Sequence, residues 1–267
     1  MSSRYEEIAA DLRRRINGGE FAAGSTLPDY DGLTSEYGVG RVTITNAIDI
    51  LQAEGLVRPV KRVGLVVRIP GERRRVRRGS AIMRDPQRGY IFPAASSPGE
   101  PWVVHGRPKA SDEPLPADVA EHFGVAPGTL ATRRRRVTSP AGEGPFQIAD
   151  AWIPEAVAAE APQAADPVTG PGGYLDRIEE AGHGPLEWTE YTRPRLPSKD
   201  EAKLLEIPVV MPVLQVLTVG VSAKTKTAVE ASVRVIPGDR VEVVSDLRRD
   251  RSARWPVEPV SPPSTAS

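Results

Sequence analysis

Two stretches of this chain, LPADVAEHFGVAPGTLATRRRRV from Leu115 and LPSKDEAKLLEIPVVMPVLQVLTVGV from Leu196, run through one pattern: a Leu-Pro step, a short amphipathic helix, a Pro-containing turn and a strand. Such an internal echo argues that both copies belong to a single domain. Around them, short helices alternate with β-branched runs, including VLQVLTVGV from Val213 and ASVRVIPGDRVEVVSDL from Ala231. Residues 89–250 are therefore read as one α+β domain with antiparallel strands. With Ala120 placed on Ala202, Arg133 to Arg136 of the first copy stand where the second has Gln215, Val216, Leu217 and Thr218. The copies differ where chemistry could live.

The first 70 residues have a different grammar. Ser3 and Glu6 have capping-box spacing, and Tyr5, Ile8, Leu12 and Ile16 form an apolar stripe that stops at Gly18-Gly19. Asp29 is the expected N-cap of a short helix with Leu33 and Tyr37 on one face and Gly38 at its end. In the third helix Ile44, Ala47, Ile48 and Leu51 recur at helical spacing, so Thr43, Thr45, Asn46, Asp49 and Gln52 are expected on the outer face, with Gly55 as terminator. Leu56 to Val60 and Leu65 to Ile69 read as a hairpin whose tip, Lys61-Arg62-Val63-Gly64, is basic. Residues 71–88 read as a solvated basic linker, and residues 251–267 as a Pro/Ser-rich disordered tail.

Two helices joined by a tight turn and followed by a two-stranded wing form the arrangement that sets a helix N-terminus into the DNA major groove. Charge agrees. Residues 1–90 hold 16 Lys and Arg against 11 Asp and Glu, a net of +5, and the remaining 19 and 24 give −5, although the whole chain balances 35 against 35. With Cys 0 there is no disulfide, thiolate nucleophile or cysteine metal site. The N-terminus lacks the basic-then-apolar run of a signal peptide, and no stretch reaches the apolar length of a membrane span, so a cytoplasmic protein without membrane contact is expected. His105, His122 and His183 sit in unrelated contexts with no acid or nucleophile at motif spacing; no P-loop is present. Neither an enzyme nor a cofactor or metal site is expected.

Over Tyr5 to Arg68 the sequence resembles the GntR family of bacterial transcription regulators. The resemblance rests on Tyr5, Ile8, Leu12, Ile16, Gly19, Leu27-Pro28, Leu33, Tyr37-Gly38-Val39, Arg41, Thr43, Ala47, Leu51, Glu54-Gly55-Leu56-Val57 and Gly64. It implies a winged helix-turn-helix with DNA contacts from Arg41 and Thr43, and from the wing around Arg62 and Gly64; Thr45, Asn46 and Lys61 are added as neighbours on the same surfaces. Asp29, Tyr30, Asp31 and Gly32 stand where the family usually has Ser-Glu-Arg-Glu, and Thr45 stands where a second helix arginine is common. Fewer cationic contacts lower affinity and flatten its salt dependence.

Residues 89–250 resemble the UTRA effector-binding domain of the family's HutC-type branch, with its chorismate lyase-like antiparallel sheet and helices. The matching features are PADVAEHFGVAPGT, the Arg-rich strand, ADAWIP, GGYLDRIEEAG and AVEASVRVIPGDRVEV. This resemblance implies a small-molecule effector and a homodimer. Strand alternation points Arg134 and Arg136 to one face, opposite Arg133 and Arg135. Clustered guanidinium groups need an anion or a carboxylate, so an acidic or phosphorylated effector suits them, unless they only protect an edge strand. Glu230 and Arg234 on one strand face are further candidates, with a surface ion pair as the alternative, and Gly172-Gly173 before Tyr174 could offer N–H groups to an anion. Ala149 sits where the branch commonly has an acid, and Asp150 points to the other face. The expectation is a sequence-specific repressor released from a double-stranded DNA operator by its effector. The alternative is a small-molecule-binding or protein-interaction module with weakened DNA binding.

Overall fold

The computed structural model describes residues 3–60, 63–68, 73–79, 81–87, 89–92, 100–253 and 255. In α1 (Arg4–Asn17) the Ser3 N–H donates to Glu6 Oε2 at 2.7 Å, and Ile8, Ala9 and Leu12 are buried. The Asp29 carboxylate caps α2 (Tyr30–Tyr37) by accepting the Gly32 N–H at 2.8 Å, and Gly38 ends that helix in the left-handed region. After the three-residue turn Gly38-Val39-Gly40 comes α3 (Arg41–Ala53), then the hairpin of β1 (Val57–Val60) and β2 (Gly64–Val67). Backbone bonds from Gly24 to Val67 and from Leu27 to Leu65 add an extended segment beside the wing. Leu12, Leu33, Ile44, Ile48, Leu51, Val57 and Leu65 close one core. The helix-turn-helix and wing thus follow from the apolar periodicity, with one exception. Gln52, expected outward, is buried, because it lies one turn beyond Ile48 and shares its direction.

Part of the stretch expected to be a solvated linker is a strand. β3 (Arg74–Arg78) pairs in parallel with the C-terminal β12 (Val241–Ser245), and Val76 packs with Phe146, Ile236 and Val241. The like charges of RRVRR are offset one by one: Arg74 by Glu100 and Glu143, Arg75 by Glu242, Arg77 by Asp246 and Arg78 by Glu190. A small hairpin follows, β4 (Met83–Asp85) with β5 (Gly89–Ile91). Of the stretch 251–267 expected to be a disordered tail, Arg251–Ala253 form a short 3-10 turn, and residues 254 and 256–267 lie outside the described residues.

The second domain runs β6 (Trp102–Pro114), α4 (Ala117–Phe123), β7 (Leu130–Pro140), β8 (Gln147–Pro154), α5 (Glu155–Glu160), α6 (Pro162–Ala165), α7 (Gly173–Ile178), β9 (Leu186–Arg195), α8 (Lys199–Leu205), β10 (Val213–Ser222) and β11 (Ala228–Pro237). Its six-stranded antiparallel sheet has the order β6-β7-β8-β11-β10-β9. The sequence echo is therefore a structural repeat: two strand-helix-strand-strand halves meet at β8 and β11. Each helix crosses onto the other half. Asp118 of α4 accepts from Gln215 at 2.8 Å and Arg193 at 2.5 Å, while Asp200 of α8 accepts from Arg135 at 2.7 Å. The core under these helices holds Val119, Ala120, Ile148, Trp152, Ala202, Leu205, Leu217 and Val235. Towards one end the opposite face is covered by α5, α6 and α7 through Ile153, Val157, Ala164, Leu175 and Ile178.

At the junction of the two domains Arg68, just past β2, pairs with Asp239 in the turn between β11 and β12. Burial pushes the Arg68 guanidinium down to about 10, with Arg240 and Arg58 adding to the shift.

Candidate functional site

Arg41 opens α3 and stands in solvent, with Asn46 exposed and Thr43 and Thr45 half-buried. The Arg41 Nη1 lies 3.1 Å from Asp31 Oδ1, and its guanidinium sits 5.2 Å above the centre of the Tyr30 ring. The Thr45 hydroxyl donates to the Arg41 carbonyl at 3.0 Å, a back-bond that occupies its proton. Val42 is 74% exposed beside Arg41, a position the sequence reading passed over because an isolated valine carries no signal at the outer face of a helix. An exposed methyl pair there can meet a thymine methyl. Gly64 begins β2 with φ of 115°, so a side chain there would be strained. Lys61 and Arg62 lie outside the described residues.

In the second domain the β pairing brings the other candidates together in three rows across one face. The first runs Thr132, Ile153, Glu230, Gly220, Trp188; the next Arg134, Ala151, Ser232, Thr218, Glu190; the third Arg136, Ala149, Arg234, Val216, Thr192. Ala149, Ala151 and Ser232 form a low floor between cationic walls at Arg134 and Arg136 on one side and Arg234 on the other. Arg133 and Arg135 turn to the helix-covered face, where Asp150 takes both at 2.9 and 2.7 Å. The edge-protection reading fails, since β6 lies outside β7.

Arg134 is 4% exposed. Its Nε donates to the Asp166 carbonyl at 2.9 Å, its guanidinium lies 4.7 Å from the Tyr174 ring centre, and its Nη2 finds no acceptor among the described residues. Burial, and next the neighbouring Arg136 charge, push Arg134 down to about 10. Arg136 donates to the Pro167 carbonyl at 3.1 Å. Arg234 pairs with Glu190 at 3.1 Å, which Arg78 also reaches at 2.5 Å.

Glu230 is not part of a surface pair. It is 1% exposed and accepts from the Tyr174 hydroxyl at 3.0 Å and Trp188 Nε1 at 3.2 Å. Room for it comes from Gly220 on the next strand, where an added Cβ would lie 2.6 Å from Glu230 Oε1. Tyr90 and Phe92 pack on Trp188 with ring centres 4.9 and 5.3 Å away. The two N–H groups of Gly172-Gly173 are not free for an anion: they donate to the carbonyls of Gln87 and Gly170, and Asp176, held by Arg84 at 2.7 Å, fills the space beside Gly172.

Burial raises the Glu230 carboxyl from 4.5 to about 7. The folded state then binds the proton more tightly than the unfolded chain, so this group's stabilisation is full below pH 4.5 and lost as pH rises through about 7. Glu230→Gln is expected to remove that slope: melting temperature measured across this window should fall with pH in the wild type and stay flatter in the variant. Parallel curves would contradict a buried, proton-holding Glu230.

Residues 4–67 match the family described as bacterial regulatory proteins, gntR family, and residues 109–242 match the UTRA domain. An uncharacterised HTH-type transcriptional regulator of Streptomyces coelicolor is 27% identical over 216 residues, 76% of this chain and 78% of that one. The Exu regulon transcriptional regulator of Escherichia coli K12 is 36% identical over 63 residues, 24% of each chain. A crystal structure of a GntR-family transcriptional regulator aligns over 93% of this chain and 99% of its own, with a TM-score of 0.57 at 25% identity.

Proposed function

Because the chain belongs to the GntR family of bacterial transcriptional regulators and carries a UTRA domain behind its winged helix-turn-helix, we infer that it is a repressor released from its operator by a small anionic effector. The observation that carries this reading is Arg134, a buried guanidinium with one nitrogen lacking an acceptor among the described residues. Two backbone carbonyls only partly offset the charges of Arg134 and Arg136. A carboxylate or phosphate on the Ala149–Ala151–Ser232 floor would complete their hydrogen bonds and their charge balance. The rest of such a ligand would face Arg234, Glu230 and the Tyr174 hydroxyl two strands away, about 10 Å across the sheet.

β11 supports a route from that site to the DNA-binding domain. It carries Glu230 and Arg234 and runs into the turn where Asp239 pairs with Arg68. A ligand that shifts β11 shifts the anchor of the wing. The test is a thermal-shift screen of phosphorylated and carboxylated metabolites, followed by binding of the protein's own upstream DNA with each hit. A hit that stabilises the protein and weakens DNA binding supports the reading; stabilising hits that leave DNA binding untouched oppose it.

One recognition helix reads too few base pairs for genomic selectivity, so two copies are expected on inverted half-sites, in the cytoplasm where the chromosome lies. Light scattering at micromolar concentration should give a dimer, and DNA titration two chains per site. A monomer both free and on DNA would refute this assembly. The pairing of Arg41 with Asp31 favours a second reading, a ligand-binding module with weakened DNA affinity. Failure of the wild-type protein to select any duplex from a random pool would establish it.

A further inference from the structure

We propose that Asp31 is a specificity determinant of DNA recognition: it holds the Arg41 guanidinium away from the phosphate backbone and presents it to the edge of a guanine. This rests on the DNA-binding reading above. Asp31 is the second residue of α2 and Arg41 the first of α3, so the turn between the helices brings their N-terminal ends together. The guanidinium is held twice, by the carboxylate at 3.1 Å along one edge and by the Tyr30 ring at 5.2 Å beneath one face. Their side chains are 66% and 85% exposed, so the pair stands where DNA would dock and adds little to folding. What it supplies is orientation.

Electrostatics decide which partner the oriented group prefers. A helix N-terminus without acids attracts phosphate. Here Asp29 already takes the Gly32 N–H, and Asp31 adds a second carboxylate to the first turn of α2. A phosphate approaching that end meets two negative charges, whereas a neutral base edge does not. Guanine O6 and N7 are the acceptor pair that a guanidinium takes in bidentate fashion, and the amino group of cytosine is a donor a carboxylate can accept. Arg41 and Asp31 together are thus complementary to a G·C pair. Thr45, its hydroxyl engaged with the Arg41 carbonyl, leaves Arg41 to carry the reading.

The test is selection from a randomised duplex pool by the full-length protein and by its Asp31→Asn and Asp31→Glu variants, followed by salt titrations on the winning site and on unrelated DNA. Wild type should fix a guanine at one position of each half-site. Asp31→Asn should lose about tenfold in discrimination at that position. It should also bind unrelated DNA more tightly, with a salt slope steeper by about one ion. Asp31→Glu, which keeps the charge, should recover part of the discrimination. If Asp31→Asn selects the same guanine as strongly and keeps the wild-type salt slope, Asp31 is a bystander and the proposal fails alone. If wild type selects nothing, the DNA-binding reading falls and takes the proposal with it.

Discussion

Replacing Arg134 and Arg136 together by glutamine is expected to weaken binding of the anionic effector about a hundredfold or more, while operator affinity stays at its wild-type value. Each hydrogen bond from a charged donor contributes about 1.5–3 kcal/mol, so losing two removes at least about 3 kcal/mol. Glutamine keeps a donor for the Asp166 and Pro167 carbonyls, so the segment they hold need not detach. The fold should tolerate the change, because a desolvated cation with an unsatisfied nitrogen is replaced by a neutral amide. Ligand titration calorimetry and DNA anisotropy read the two quantities separately. If the double variant loses DNA affinity equally with and without ligand, the arginines serve DNA attraction and the site assignment is wrong.

Arg41→Ala should act on the opposite arm of the switch. Removing the guanidinium deletes a phosphate or guanine contact and should weaken operator binding by about 1–3 kcal/mol, roughly fivefold to 150-fold. Thermal stability should be unchanged, since the side chain is exposed and its partner Asp31 is solvated. Ligand affinity in the absence of DNA should also be unchanged. Operator affinity equal to wild type would remove Arg41 from the interface.

Much of this architecture was legible because it is written in short periods. Ile44, Ala47, Ile48 and Leu51 gave the buried face of α3. Asp29 and Gly38 gave the ends of α2. The alternation of Arg133 to Arg136 separated the two pairs by face, although that Arg133 and Arg135 share Asp150 came only from the pairing of β7 with β8. The repeat from Leu115 and Leu196 became the two halves of the sheet. What escaped depends on residues far apart in the chain. RRVRR looked like a linker because its carboxylates lie at Glu100, Glu143, Glu190, Glu242 and Asp246, and its strand partner begins at Val241. Glu230 stood with Arg234 as a candidate for the effector or as half of a surface ion pair; its burial was not legible, because the space that holds it is left by Gly220 and roofed by Tyr174 and Trp188. The glycines before Tyr174 offered N–H groups on paper, but Gln87 and Gly170 accept them. The pair of Asp31 and Arg41 spans the turn between helices, where no periodicity reports a contact.

Reciprocal linkage between the two domains tests the central claim most directly. Labelled upstream DNA is titrated with the wild-type protein in the presence and absence of the anionic ligand found by thermal shift, and the ligand is titrated in turn into free and DNA-saturated protein. A released repressor requires the ligand to weaken DNA binding by a factor of about 5 to 150, and DNA to weaken ligand binding by that same factor. Ligand binding that leaves DNA affinity unchanged would contradict the account.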